Sequence, residues 1–238
     1  MKKKWAAFVV GAAVIAAGGY FAFDYYTGNR IALESVIPAN ANANASASGA
    51  DSAGKETGAS SVEAASLNGS WIIKQPESKV YVSVTTSKET VNIELGSVEG
   101  SWTLDTGTAA GMTAEAKVAL DELTSGNSMR DSHIKEERFL HVASYPEASF
   151  ELTGFENFPG EWIEGETVAF DMRGTMTVKG ISKEVTFTNQ AVYSQGTIRV
   201  EGSAVVTFDD FGMTNPHAVV LDTENNVTVQ TRLVLEKA

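Results

Sequence analysis

The sequence predicts an all-β fold, an antiparallel up-and-down barrel with one short helix, preceded by an N-terminal transmembrane helix and a disordered tether. Three observations predict it. From Leu67 onward apolar residues recur at every second position in one stretch after another. Several stretches run for ten residues or more, and short glycine turns such as Lys179-Gly180 and Gln195-Gly196 join them. Alternation of this kind marks antiparallel sheet wetted on one face. Long sequential hairpins then curl into a barrel or a sandwich rather than a parallel sheet.

Before the β-domain come two segments. Lys2-Lys3-Lys4 precede Trp5–Phe23, which carries no charge. As a helix this run is about 29 Å long, close to the hydrocarbon thickness of a bilayer. Trp5 at one end and Tyr20, Tyr25 and Tyr26 at the other suit the two interfaces, and the lysines place the N-terminus in the cytoplasm. Residues 1–26 are therefore read as a membrane anchor. The competing reading is a cleaved signal peptide processed near Ala16-Ala17-Gly18. Either one exports the rest of the chain. The expected location is the bacterial inner membrane with a periplasmic barrel, or the periplasm after signal cleavage. Residues 27–66 are rich in Ala, Asn, Ser and Gly with no apolar period, so they are read as a disordered linker.

Residues 67–238 form the barrel domain. Trp71–Ile73 and the pair around Val91–Leu104 flank the alternation of Val80, Val82 and Val84 with Tyr81, Ser83 and Thr85. Ala114, Ala116, Val118 and Leu120 follow. Val168, Phe170, Met172, Gly174, Met176 and Val178 form a long apolar face. Val185, Phe187, Ala191 and Tyr193 form the next, then Ile198, Val200, Gly202, Ala204, Val206 and Phe208, and finally Val227, Val229, Leu233 and Leu235. The expected total is eight or nine strands. Between them lies Ser128–Phe150, where Ser128 and Asp131 have the form of a capping box and Tyr145-Pro146 ends any helix. Met129, Ile134 and Phe139 are expected to face inward, with Asp131 as a capping group and Arg130 paired to a strand carboxylate.

Net charge is −12, and residues 1–66 balance to zero, so the acidity lies wholly in the barrel domain. Such a surface repels phosphate backbones, which disfavours nucleic-acid partners. The chain has no cysteine, which removes disulfides and thiolate chemistry. No nucleophile elbow, P-loop, dinucleotide fingerprint or zinc-protease motif is present. His133 and His141 are not at the spacing of a helical metal pair, and with His217 they are the only histidines, so no metal site is expected. Asp210-Phe211-Gly212 stands without the other kinase motifs and reads as a turn in which Gly212 takes an unusual backbone angle and Phe211 packs.

The inward faces mix small residues (Ala114, Ala116, Gly174, Ala191, Gly202, Ala204) with Trp71, Trp102, Phe170, Met172, Met176 and Phe187. An eight-stranded barrel of this composition is either hollow, holding one apolar ligand, or filled by large and small residues interdigitating. Asn189 and Thr231 interrupt two apolar faces. They either anchor a polar group inside or sit at a wet barrel end.

Four motifs in register carry a family resemblance: Arg130-Asp131-Ser132-His133-Ile134 followed by Phe139, Tyr145-Pro146 leading to Ser149-Phe150, Gly174–Ser182, and Asp210-Phe211-Gly212-Met213. From about Leu67 to Ala238 the chain resembles the YceI-like family, lipocalin-like barrels associated with binding polyisoprenoid lipids. The resemblance implies a hollow barrel, no enzymatic activity, no cofactor beyond a bound lipid, and an isoprenoid or quinone-like chain as partner. The expected lumen residues are Trp71, Val82, Trp102, Val118, Met129, Phe139, Phe170, Met172, Met176, Phe187 and Phe211, with Arg130, His133 and Asn189 as polar anchors. The chain departs from the family pattern at Glu77-Ser78, at Thr85-Thr86 and at Phe139-Leu140-His141, which implies a different ligand head group if those positions touch it.

Overall fold

The structure, a computed structural model of the chain, describes residues 31–39, 41, 61–108, 111–216 and 222–238. The expected membrane helix, most of the expected tether and His217 lie outside the described residues. Among the described residues no helix is long and apolar enough to cross a membrane.

Period-two alternation yields β1 (Ser61–Val62), β2 (Gly69–Ile73), β3 (Lys79–Thr86), β4 (Thr90–Glu94), β5 (Val98–Leu104) and β6 (Thr113–Ala119). It continues in β7 (Glu147–Glu156), β8 (Trp162–Ile163), β9 (Thr167–Val178), β10 (Ile181–Ser194), β11 (Thr197–Thr207) and β12 (Thr223–Lys237). Ten of these form one sheet in the order β11-β10-β9-β7-β6-β5-β2-β12-β3-β4, and β11 also pairs with β12. That last pairing closes the ring. β2 and β3 both run antiparallel along β12, with Ile73 opposite Leu235 and Lys79 opposite Arg232, so they share one position interrupted at residues 74–78. β4 and β5 share a second position, opposite β3 and β2 respectively, interrupted at residues 95–97. Eight positions therefore circle the barrel, all antiparallel, as the alternation predicts.

The hairpins follow from their turn residues. Lys179 and Gly180 have φ of 54° and 73°, and Gln195 and Gly196 have φ of 52° and 76°. Two consecutive left-handed residues make the turn whose twist matches flanking strands, so β9–β10 and β10–β11 continue in register with no bulge. Among the described residues from 61 onward there are two short α-helices, α1 (Ala64–Leu67), a single turn, and α2 (Ser128–Ile134), the expected helix, and a 3-10 turn at Asp209–Phe211.

Within residues 27–66, read from composition as a linker, residues 31–39, 41 and 61–66 are described. Residues 31–37 cross the outer wall of the barrel. The Asn92 side chain donates to Ile31 O at 2.9 Å, and Arg232 Nε donates to Glu34 O at 3.0 Å. Glu201 Oε1 accepts from Ser35 Oγ (2.5 Å), Val36 N (2.8 Å) and Ile37 N (2.9 Å). Ile37 and Ala41 pack on Val192. The strap thus spans β4, β12, β11 and β10. Composition missed it because the strap is held mainly by its backbone, whose hydrogen bonds to a partly buried carboxylate need no apolar period. It also buries outward-facing residues of β3: Tyr81 is 0% exposed and Ser83 8%, and burial pushes the Tyr81 phenol up.

Candidate functional site

The two ends of the barrel are packed differently. At one end the interior is filled with rings. Trp102 lies 5.9 Å from Phe155, Phe155 lies 4.9 Å from Phe158 and 5.7 Å from Phe170, and Phe158 lies 5.9 Å from Trp162. Trp71 and Trp162 are almost wholly buried there. Their indole N–H groups donate to Leu67 O and Pro159 O, which satisfies the one polar atom each ring brings inside. The fill is complete enough that Ala114, which pairs with Trp102 across β5 and β6, serves to admit a large neighbour.

At the other end is a cavity of about 380 Å³. Its wall is largely valine: Val80, Val82 and Val84 from β3, Val91 from β4, Val98 from β5, Val118 from β6, Val178 from β9, Val206 from β11, and Val227 and Val229 from β12. Valine favours a strand but projects only two methyl groups into the lumen. A ring of valines across a barrel therefore does not meet in the middle. Phe150, Met176 and Phe187 line the same space, and Phe150 and Phe187 meet edge to face with centroids 5.4 Å apart. A Cβ at Gly174 would collide with the Phe150 ring, so the missing side chain is what lets that ring lie across the barrel.

The α2 end of the cavity is flanked by the helix and by the turn after β11. Arg130, His133 and Ile134 of α2 line the space with Phe139 and Leu140 just after it, and Phe211, Met213 and Pro216 line it from the turn. The turn forms as the sequence predicts: Gly212 has φ of 61°, and Phe211 is 2% exposed. Asp210 Oδ2 accepts from the Thr207 N–H and hydroxyl at 2.8 Å each, and these two bonds hold its carboxyl below the usual aspartate value.

The helix is locked differently from the expectation. Its N-cap is Asn127, whose Oδ1 accepts from Met129 N and Arg130 N at 3.1 Å, and the Ser128–Asp131 capping box does not form. Asp131 instead turns back to the preceding loop. Its Oδ1 accepts from Ser125 N (2.8 Å) and Ser125 Oγ (2.5 Å), and Oδ2 from Thr124 Oγ1 (3.3 Å). Arg130 pairs with no strand carboxylate; Nε donates to Ser125 Oγ at 2.8 Å and Nη2 to Ser125 O at 3.2 Å. Ser125 is fully buried, so both charged side chains grip one loop residue and fix the helix to the barrel rim.

Of the expected lumen residues, Val82, Val118, Phe139, Met176, Phe187 and Phe211 line the cavity, as do the polar residues Arg130 and His133. Trp71, Trp102, Phe170 and Met172 are buried but belong to the filled end, away from the cavity wall. Met129 is 73% exposed and does not face inward. The α2 residues on the cavity face are Arg130, His133 and Ile134. Asn189 is buried but off the wall; its Nδ2 donates to Phe187 O at 2.8 Å. A Cβ at Gly202 would collide with Asn189 and Thr231, so that glycine makes room for both side chains; Thr231, only partly buried, lines the cavity. Sequence reasoning named Val82 and Val118 but missed Phe150 and the other valines of the ring, although Phe150 stood in the Tyr-Pro motif and the valines in plain alternation.

The family-divergent positions separate in the same way. Thr86, Phe139 and Leu140 reach the cavity. Glu77 pairs with Lys74 at 2.9 Å, and Ser78 Oγ accepts from Val234 N at 2.9 Å, both away from the cavity. His141 Nε2 lies 3.0 Å from Ser144 Oγ. His133 Nδ1 lies 3.0 Å from Arg138 Nη2 and 3.3 Å from Glu136 Oε1, with half the side chain in solvent. Among the described residues no group of three or more His, Asp or Glu is placed to hold a metal ion.

A sequence model of the YceI-like domain matches residues 71–235, which contain the whole cavity wall. The chain belongs to the YceI-like family. A UPF0312 protein of Pseudomonas savastanoi is 27% identical over 124 residues, covering 50% of this chain and 61% of the relative. A UPF0312 protein of Pseudomonas putida is 28% identical over 138 residues, covering 56% of this chain and 68% of the relative. The first of these matches spans less than two thirds of the relative's length. Among solved structures, BcnA of Burkholderia cenocepacia superposes with a TM-score of 0.59 at 16% identity, covering 68% of this chain and 98% of that one. A polyisoprenoid binding domain from Saccharophagus degradans superposes at 0.56 with 13% identity, covering 71% and 98%. At such identities the likeness shows the fold.

Proposed function

We propose that this YceI-like barrel binds the hydrocarbon chain of an isoprenoid-type lipid, such as a polyprenyl lipid or a quinone tail, in its hollow end. The observation that carries the reading is the cavity of about 380 Å³ with its valine wall. Burial of such a chain contributes about 0.8 kcal/mol per methylene and requires no specific polar contact along its length. A structural neighbour described as a polyisoprenoid binding domain supports the choice of ligand class. The few polar side chains at the α2 end, Arg130 and His133 among them, lie where a head group would emerge. The alternative, a tethered interaction barrel with no ligand, predicts a filled interior, and only one end of this barrel is filled.

In this reading the barrel stands outside the cytoplasm, held by the N-terminal apolar run Trp5–Phe23. The protein performs no chemistry on its ligand. Organic extraction and mass spectrometry of the purified full-length chain tests the ligand assignment: a prenyl or quinone lipid should co-purify at up to one per chain. Failure both to co-purify a lipid and to load one would remove the reading. Protease treatment of intact cells and of cells with a permeabilised outer membrane tests the location, since the barrel should be cleaved or protected as an exported domain is.

A further inference from the structure

Resting on that reading, we propose that the Phe150–Phe187 pair is a floor that limits the buried chain to about fifteen carbons, three isoprene units. An apolar cavity of about 150 Å³ holds one benzene, so a space of about 380 Å³ accommodates roughly fifteen carbon atoms at the same packing. The floor itself is built from the sheet. Phe187 pairs with Met172 across β9 and β10, and Met172 pairs with Phe155 across β7 and β9. Phe155 is the ring that begins the aromatic fill, so rings occupy the space behind the floor on this side of the barrel. Gly174 puts the Phe150 ring across the barrel, where any Cβ would push it aside. Asn189 holds the Phe187 carbonyl from below through a 2.8 Å hydrogen bond, which fixes the strand that carries the second ring. A chain longer than the space must leave its remainder outside, at the α2 end.

The test is a length series. Prenols of two to eight isoprene units compete against a fluorescent prenol analogue on the delipidated full-length chain in detergent-free amphipol. Affinity should rise by at least about tenfold per unit up to three units, because each unit buries about five carbons. Beyond three units it should change by less than about threefold. Phe187→Ala should move the break to four units or more. Phe187→Leu, a smaller change that keeps the core apolar, should move it in the same direction if the alanine variant fails to fold. Affinity that climbs without a break to eight units would overturn the floor while leaving lipid binding intact, as would an unmoved break in a folded Phe187 variant. If no prenol of any length binds, the lipid reading itself fails.

Discussion

The filled end and the hollow end of this barrel are built from the same strands with the same alternation. At the filled end the inward positions carry Trp102, Phe155 and Phe170, whose rings meet across the lumen, with Trp71 wholly buried. At the hollow end they carry valines, which are as good at forming a strand but too short to meet. Whether a small barrel is hollow is therefore set by the reach of its inward side chains, layer by layer. The intuitive markers of a void, glycine and alanine, point elsewhere here. Gly174, Gly202 and Ala114 each sit against a larger side chain and make close packing possible. Ala116 and Ala148 are inward small residues that do line the cavity.

Removing a ring from the filled end should have the largest effect. Trp102→Ala is expected to cost about 3–5 kcal/mol, the usual result of leaving a large void in a packed core. Urea titration followed by circular dichroism measures it. The matching change at the hollow end, Ala116→Leu, adds volume where there is space. It should alter stability by less than about 1.5 kcal/mol while weakening prenol binding at least tenfold. A large stability loss from Ala116→Leu would mean that the two ends are packed alike.

The rim of the hollow end depends on a polar lock rather than on rings. Asp131→Ala strands the amide and hydroxyl of fully buried Ser125 and should cost about 1–3 kcal/mol. Hydrogen exchange should show α2 losing protection while the filled end keeps it. The smallest effect is expected at Asp210. Its carboxyl titrates below the aspartate range in the folded state, so its contribution is fully present above the unfolded value near 4 and is lost as pH falls through the lower, folded value. Asp210→Asn should remove less than about 1 kcal/mol at pH 7 and progressively less as the pH falls below the unfolded aspartate value, as thermal melts across that range would report.

Much of the fold was readable from residues alone because alternation, glycine turns and strand length all point the same way. The eight positions, the Gly212 turn and the place of α2 followed from these. The site was readable only in part. Alternation tells which residues face inward but not how far along the barrel axis each one lies, so Trp71, Trp102, Phe170 and Met172 were assigned to a lumen they in fact fill. The cap shifted from Ser128 to Asn127 because Asp131 found a buried loop partner that no local pattern encodes. The strap over the outer wall was invisible for a related reason. It depends on Glu201 and Arg232, some 165 and 198 residues away along the chain from the groups they hold.

Methyl-selective NMR of the full-length chain, titrated with a three-unit prenol, addresses the difference between the two ends most directly. The Met176 methyl lines the cavity and the Met172 methyl lies behind the floor. The ligand should give intermolecular contacts and shift changes at Met176 and at the methyls of Val82, Val118 and Val229, with none at Met172 or the Trp102 indole. Ligand contacts to Met172 or Trp102, with none to the valine ring, would contradict the account.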